Sequence, residues 1–308
     1  MDRPANAIMR EGGNFLMSTT GNQKRRKRTI EDRIISGLNS LRFTLTEPLL
    51  LRLARARHER EYADSKTSPL VSVQINTFNR GQLLIERAIP SVLSQTYRNL
   101  ELVIIGNRCT DNTEELVSKI DDPRVRFYNL PTHYSKDIDD IETRWLVGAG
   151  EAVNVGLNLL RGQWFTWLGD DDVYTPDCIE VLLRFAQEGK YEFVSAQYEA
   201  ERFGKRKIVD GVRAKDSYFT GHPSDPNDDS PKIGGIQTWM YRSYLRFMKY
   251  NVNCWRKSWN RAMDLDLCLR IFKSGVRMGF LDRVVTYVLP RPGEATVGLD
   301  AYKLNPNY

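Results

Sequence analysis

Three adjacent aspartates, Asp170, Asp171 and Asp172, follow an apolar stretch that runs from Trp164 to Leu168. Neighbouring carboxylates repel one another, and a hard divalent cation would relieve that repulsion. Magnesium typically takes one or two protein carboxylates and completes its coordination with substrate phosphates. The triplet therefore suits the binding of a nucleotide diphosphate, although an acidic triplet alone also occurs in solvated turns.

A second acidic pair, Asp264 and Asp266, lies where apolar residues recur at helical spacing from Leu265 to Ile271. An aspartate held beside a hydroxyl group can take its proton as that hydroxyl attacks a substrate. Asp264 could instead cap the amino terminus of the helix, and the two roles are compatible.

A third candidate segment combines glycine with polar and aromatic side chains. Gly235 leaves room for a ligand to approach the backbone, so Gln237 and Trp239 are candidates for lining a ligand pocket. Residues 242–261 then carry six Lys or Arg and five aromatic side chains without an acid. Aromatic faces can stack on sugar rings and cations can hold phosphate, so this stretch could grip a phosphorylated or lipid-linked glycan. It could also form a nucleic-acid surface, or its aromatics could be core and its cations a solvated face.

Alternating strand and helix patterns must position these groups. Short β-branched or apolar runs predict strands over 71–75, 100–105, 125–130 and 164–168. Helical spacing predicts helices over 83–93, 114–120, 150–160 and 176–188. Repeated units of this kind indicate an α/β domain with a mainly parallel sheet, which binds ligands at the carboxyl ends of its strands.

Four ordered blocks of the sequence resemble family 2 glycosyltransferases, which have the GT-A, Rossmann-like fold. The blocks are VSVQINTFNR (71–80), AIPSVLSQTYRNLELVIIGNRCTDNTEE (88–115), GAGEAVNVGLNLLRGQWFTWLGDDD (148–172) and AMDLDLCLRIFKSGVRMGFLD (262–282). The resemblance implies an inverting enzyme of polysaccharide biosynthesis that uses Mg²⁺ or Mn²⁺. Such an enzyme moves a sugar from a nucleotide diphosphate sugar to a hydroxyl of a glycan or lipid-linked acceptor.

The resemblance also implies roles for individual positions. Asp171 matches the last aspartate of the family's D-x-D motif and is the expected main metal ligand, supported by Asp172 or Asp170. Asp264 matches the catalytic base. The expected donor contacts are Thr77, Phe78, Asn79, Arg80, Asn107, Asp170 and Asp171, and the expected acceptor contacts are Gly235, Gln237, Trp239 and Asp266.

Several positions depart from the family's pattern. Glycines stand for aspartates at Gly106 and Gly169, Val153 stands for an arginine, and Met263 stands for a glutamate. These replacements leave a second function open, a catalytically inactive relative that binds glycans or acts as a scaffold. Asp171 and Asp264 favour the enzyme, because a binding protein needs neither a metal ligand nor a base.

The positive charge of the chain is concentrated at its amino-terminal end. The net charge is +6, and residues 1–66 carry 14 Lys and Arg against 8 Asp and Glu, which leaves 31 of each for residues 67–308. Nucleic-acid binding by the body is therefore not expected. The predicted organisation is a basic, partly disordered extension (1–66), a GT-A domain (67–290) and a tail (291–308).

The extension contains one amphipathic segment. Apolar residues at helical spacing predict a helix between Thr29 and Arg60, and Arg52, Arg55 and Arg57 give it a basic face. Residues 24–60 could lie on an anionic membrane surface, or the helix could pack against the catalytic body or a partner subunit. The charge run from 24 to 28 is expected to stay solvated.

Two classes of protein are not expected from the remaining sequence signals. No apolar run approaches the roughly 18 residues of a membrane span, and no signal-peptide apolar region is present. The four cysteines form no C-x-x-C pair, which favours reduced thiols. The sequence therefore predicts a cytoplasmic protein, potentially peripheral at the cytoplasmic face of a membrane.

Overall fold

The computed structural model describes residues 28–64, 67–132 and 140–304. Of the charge run over 24–28 that is predicted to be solvated, the described residues include Arg28 alone. The first helix, α1 (Ile30–His58), begins at a capping box in which the Thr29 hydroxyl accepts a hydrogen bond from the backbone N–H of Asp32 at 3.0 Å. The Asp32 carboxylate accepts one in return from the Thr29 N–H at 2.9 Å. This reciprocal pairing satisfies two donors that a helix leaves open at its start.

The sheet is built from four parallel strands and an extension of mixed direction. The parallel strands are β1 (Val71–Thr77), β2 (Leu100–Gly106), β3 (Val125–Asn129) and β4 (Trp164–Gly169). The others are β5 (Val173–Tyr174), β6 (Phe193–Arg202), β7 (Lys205–Val209), β10 (Met240–Arg242) and β11 (Met278–Val288), while β8 (Val212–Arg213) and β9 (Lys232–Ile233) form a separate pair.

The order of strands in the sheet is β3-β2-β1-β4-β10-β6-β11-β5, with β7 paired to β6. Strand β10 runs antiparallel to both β4 and β6, whereas β11 is parallel to β6. The mainly parallel α/β sheet predicted from the sequence is confirmed, with antiparallel strands added beyond β4.

Helices cover both faces of the sheet. The helical stretch α2 runs through Gly81–Leu83, Leu84–Ala88 and Ile89–Leu93, and the later helices are α3 (Thr113–Ser118), α4 (Ile141–Val147), α5 (Gly150–Gly156), α6 (Cys178–Glu188), α7 (Ser217–Thr220), α8 (Met263–Lys273) and α9 (Leu299–Leu304). Residues of α2 and α6 pack with Leu102 and Ile104 on one face. Residues of α5 and α8 pack with Val103 and Ile105 on the other. This alternation along β2 is expected of a strand buried on both sides.

Helix α1 packs on the body mainly through its polar side. Arg55 donates two hydrogen bonds to the buried carboxylate of Glu192, at 2.7 and 2.6 Å. Asp32 accepts from Arg256 at 2.8 Å, and Leu51 is fully buried in the core. Arg55 therefore does not belong to an outward basic face, because its guanidinium is held by the body.

Candidate active site

The candidate site forms where the carboxyl ends of β1 and β4 lie side by side. Asn76 is paired in register with Gly169, so Thr77 and Asp170 leave adjacent strands together. The Thr77 hydroxyl donates to Asp170 Oδ2 at 2.8 Å, and Arg80 donates to Asp170 Oδ1 at 3.0 Å. Asp170 is buried, and these two partners satisfy both of its oxygens.

Arg80 anchors the acidic loop electrostatically. Burial lowers the pKa of Arg80, but Asp170, Tyr302 and Asp171 outweigh that effect and raise it, so the guanidinium stays charged. Its Nη1 lies 3.8 Å from Asp171 Oδ2, and its Nη2 donates to the Tyr302 hydroxyl at 3.1 Å. The arginine predicted as a donor contact therefore also fixes the geometry of the carboxylates.

Asp171 is the most accessible carboxylate of the triplet, with 28% of its side chain exposed. Burial and the neighbouring Asp170 raise the pKa of Asp171 to about 6, against the opposing effects of Arg80 and Arg291. Burial and both neighbouring aspartates raise the pKa of Asp172 well above its usual range. The ionised forms of these carboxyl groups are thus disfavoured in the loop on its own, and a bound cation would favour them.

Gly169 allows the carboxylates to fold back over the end of β4. A Cβ atom at this position would lie 2.8 Å from Asp172 Oδ2 and 3.0 Å from Asp171 Oδ1, closer than packed atoms approach. The glycine that replaces the family's first aspartate therefore has a steric reason in this chain.

The residues present fit a cation held jointly with a substrate. Within the described ranges, no group of three or more His, Cys, Asp or Glu side chains is gathered as a metal site. Because Asp170 is engaged by Thr77 and Arg80, Asp171 is the carboxylate left to face a ligand. One or two carboxylates with substrate phosphates are a usual arrangement for Mg²⁺.

The loop after β1 is locked to the loop after β2. Asn79 adopts a left-handed backbone (φ 51°), and its side-chain oxygen accepts from the Thr110 N–H at 2.8 Å. Asn107 is buried, and its N–H donates to the Thr77 carbonyl at 2.8 Å, while Phe78 is half-buried beside them. The predicted donor contacts are thus brought together at one edge of the sheet.

Asp264 lies in the first turn of α8 and is half-buried. The alternative in which Asp264 caps the helix is wrong, because the helix begins at Met263 and Ala262 occupies the cap position without a side-chain bond. One carboxylate oxygen accepts from the Leu265 N–H at 2.8 Å, and burial raises the pKa of Asp264.

Tyr198 on β6 connects the two acidic sites. Burial raises its pKa to about 12, and the carboxylates of both Asp172 and Asp264 add to the effect although Arg202 opposes it. The tyrosine therefore lies within electrostatic range of both Asp172 and Asp264. Sequence reasoning missed it because no motif surrounds it.

Two of the predicted acceptor contacts, Gln237 and Trp239, are buried in the protein interior. Trp239 is 1% exposed, packs against Phe193 and donates its indole N–H to the Gly234 carbonyl at 2.8 Å. Gln237 is buried, and its side chain would lie 2.7 Å from a Cβ added at Gly235. These contacts describe a close-packed wall, in which the glycine makes space for the glutamine.

Asp266 is fully buried in α8. Its carboxylate binds Lys257 and, at 2.8 Å, Arg270, which also binds Glu47 of α1. These bonds favour a structural role over the predicted acceptor contact, since both oxygens already have cationic partners.

The basic and aromatic stretch after β10 is largely structural. Tyr241, Tyr244 and Tyr250 are buried, and Arg242 is ion-paired with Glu59 at 3.0 Å. The Arg242 guanidinium also lies 4.7 Å from the centre of the Tyr62 ring. The interpretation of these residues as core is therefore the better one for most of the stretch.

The end of the described chain packs over the donor side of the site. The Arg291 guanidinium lies 5.0 Å from the centre of the Tyr302 ring, whose hydroxyl meets Arg80. Arg87 donates to the Pro290 carbonyl at 2.9 Å and to the Asp171 carbonyl at 3.4 Å. Sequence reasoning missed Tyr302 and Arg87 because their contacts with Arg80 and Asp171 join segments more than 80 residues apart in the sequence.

An acidic loop at the carboxyl ends of parallel strands is the place where an α/β sheet of this kind binds its ligand. The sequence model of Glycosyl transferase family 2 matches residues 72–246, and the chain belongs to this family.

Curated relatives match part of the chain. The chain is 36% identical over 126 residues to the "Putative colanic acid biosynthesis glycosyl transferase WcaA" of Escherichia coli (strain K12), covering 40% of each protein. It is 31% identical over 123 residues to the "GalNAc(5)-diNAcBac-PP-undecaprenol beta-1,3-glucosyltransferase" of Campylobacter jejuni, covering 39% of this chain and 36% of the relative. The match thus spans less than half the length of either relative.

A solved structure shares the fold. The mannosyltransferase PcManGT from Pyrobaculum calidifontis, in complex with GDP-Man and Mn²⁺, is 18% identical with a TM-score of 0.53. The alignment covers 85% of this chain and 70% of that chain. The GT-A fold expected from the sequence is confirmed.

Proposed function

We propose that the protein transfers a sugar, with inversion, from a nucleotide diphosphate sugar to a hydroxyl of a glycan or lipid-linked acceptor. The observation that carries the proposal is the acidic loop at the carboxyl ends of β1 and β4, where Thr77 and Arg80 hold Asp170 and leave Asp171 to face a ligand, in a chain that belongs to Glycosyl transferase family 2. A loop that binds a diphosphate and a base that faces it are the two parts that this transfer needs.

The chain's own residues bind and orient the donor. The loop from Thr77 to Arg80 and the buried Asn107 receive the base and ribose at the carboxyl ends of β1 and β2. Asp171, with Asp172 beside it, would hold a divalent cation, Mg²⁺ or Mn²⁺, which supplies positive charge for the departing diphosphate when bound. A solved GT-A protein bound to Mn²⁺ and GDP-Man supports this assignment.

Asp264 moves the proton. The acceptor oxygen forms a bond to the anomeric carbon on the face opposite the nucleotide, while the bond from that carbon to the diphosphate oxygen breaks. The hydroxyl proton passes to Asp264, and the electron pair of the broken bond leaves with the diphosphate. The raised pKa makes the ionised carboxylate a stronger proton acceptor than an exposed aspartate.

The acceptor is a glycan hydroxyl, with a lipid-linked glycan favoured. The name of the Campylobacter jejuni relative gives a PP-undecaprenol-linked saccharide as its substrate. An enzyme with such an acceptor works at the surface of a membrane. No helix within the described residues is long and apolar enough to cross a bilayer.

Thermal unfolding with nucleotide diphosphates tests the donor site. A ligand at a hundred times its Kd stabilises the folded state by about 2.7 kcal/mol, which is a shift of roughly 5–10 °C for a domain of this size. We expect one nucleotide to give such a shift with Mn²⁺ or Mg²⁺, and Asp171→Asn to lose the metal-dependent part. Asp282→Asn, at an aspartate whose side chain is 72% exposed, is the matched control.

The same experiment can contradict the proposal. If no nucleotide diphosphate shifts the unfolding temperature of the wild-type chain, with or without metal, the candidate site does not bind a donor.

A further inference from the structure

The long helix α1 exposes an apolar stripe over residues 30–49. Six large apolar side chains on this stripe point away from the body, and they follow one another at intervals of three or four residues. The set is Ile30, Ile34, Leu38, Leu41, Leu45 and Leu49, each more than half exposed. These spacings place the six within a band about 100° wide.

The opposite side of α1 carries the contacts with the body. Asp32, Ser36 and Glu47 are buried there, with Leu51 as the large apolar anchor. The helix is thus inverted relative to an ordinary surface helix, in which the apolar stripe faces the core. Exposed apolar patches of this extent mark a site of interaction.

Cations accompany the stripe. Within the described helix, Arg33, Arg42, Arg52 and Arg57 are exposed, whereas Glu31 is the sole exposed acid. On a helical projection Arg52 falls inside the stripe and Arg42 borders it.

This charge pattern favours an anionic bilayer over a second copy of the chain as the partner of the stripe. Two copies of α1 packed stripe to stripe would take Arg52 out of water in an interface whose exposed charges are four arginines and one acid per helix, which desolvation and like-charge repulsion oppose. On an anionic bilayer the same long side chains can reach the headgroups while the leucines enter the boundary with the acyl chains. Attraction to anionic lipid adds to the apolar contact.

We infer that the outward face of α1 is a docking surface for an anionic lipid bilayer, with α1 lying in the plane of the interface. The ion pairs of Arg55 and Asp32 hold the helix to the body, so the GT-A domain is carried at a fixed orientation to the membrane. This inference does not depend on the proposed transfer activity.

Vesicle co-sedimentation of the full chain tests the inference. We expect the wild type to bind vesicles of phosphatidylcholine containing about one third phosphatidylglycerol, and to bind phosphatidylcholine alone much more weakly. Binding should weaken when the salt concentration is raised to about 0.5 M, because screening reduces the attraction between charges.

Paired variants assign the binding to the stripe. The double variant Leu38→Asp with Leu45→Asp should lower the partition coefficient about tenfold or more, since both leucines would enter the interface. Arg42→Gln with Arg52→Gln should reduce the preference for anionic vesicles. Ile208→Asp, at a β7 position that is 53% exposed, is the matched control and should bind like the wild type. Unchanged far-ultraviolet circular dichroism of all variants shows that they remain folded.

Two results would overturn the inference. The first is a wild-type chain that binds neither kind of vesicle. The second is a wild-type dimer, measured by light scattering, that the Leu38→Asp and Leu45→Asp double variant converts to a monomer, because the stripe would then be an interface between copies.

Discussion

The hydrogen bond between Thr77 and Asp170 gives a prediction whose magnitude follows from the structure. Thr77→Val keeps the shape of the side chain and removes the hydroxyl, which lies 2.8 Å from the carboxylate. Asp170 is 4% exposed, so water cannot replace the lost donor. A hydrogen bond to a charged group contributes about 1.5–3 kcal/mol to stability. We expect the free energy of unfolding to fall by about 2 kcal/mol.

Urea unfolding followed by tryptophan fluorescence measures this change, as a lower midpoint with an unchanged slope. Thr44→Val, on the exposed side of α1, is the matched control and should stay within about 0.5 kcal/mol of the wild type. The variant should also bind a nucleotide diphosphate more weakly, because Asp170 fixes Arg80 beside the acidic loop. A Thr77→Val chain as stable as the wild type would refute the reasoning that Asp170 depends on this donor.

Three further predictions concern the loop, the base and α1. Gly169→Ala should reduce the turnover rate by up to about a hundredfold with little loss of stability, because the new methyl group would displace Asp171 and Asp172. Steady-state kinetics measure the turnover rate, and thermal unfolding measures the stability. The rate of transfer should rise with pH through the pKa of Asp264, which burial raises, and a pH profile that is flat from acidic to neutral pH would contradict the assignment. Leu51→Ala should lower the free energy of unfolding, measured with urea, by about 2–5 kcal/mol, because this side chain is fully buried between α1 and the body. A loss below about 0.5 kcal/mol would show that Leu51 does not anchor α1 to the body.

Local sequence patterns were sufficient to predict the parallel half of the sheet. The predicted strand over 71–75 is observed as Val71–Thr77, and the one over 164–168 as Trp164–Gly169. Both are continuous apolar or β-branched runs, which a strand buried on two faces requires. Because each apolar run ends just before a polar residue, the pattern also predicts that Thr77 and Asp170 lie at the carboxyl ends of these strands.

Side-chain partners distant in sequence could not be predicted. Arg55 was expected on an outward basic face, but its partner Glu192 lies 137 residues away. Asp266 was expected beside an acceptor, yet Arg270 and Lys257 turn it into an internal ion pair. In both cases the helical pattern was correct, and the direction of the side chain was set by charges that only the folded chain brings together.

The inverted polarity of α1 has the same origin. Periodicity correctly placed apolar residues on one side of the helix, and such a stripe ordinarily predicts the side that faces the core. Here the ion pairs of Asp32 and Arg55 hold the opposite side against the body. The alternatives of packing on the body and lying on a membrane are therefore compatible in one helix.

Asp264→Asn tests the central claim most directly. Burial raises the pKa of Asp264, so the stability that its protonated form contributes is lost as pH rises through that pKa, and the neutral amide should leave the folded chain at least as stable at pH 7. Donor nucleotide binding should also be retained, since the base does not hold the donor.

The decisive quantity is the rate of sugar transfer by this folded, donor-binding variant. Removing a general base typically costs about 10²–10⁴-fold in rate. We predict a loss in that range for Asp264→Asn, with the unfolding temperature and the nucleotide affinity unchanged or improved. Transfer at the wild-type rate would contradict the assignment of Asp264 and with it the proposed mechanism.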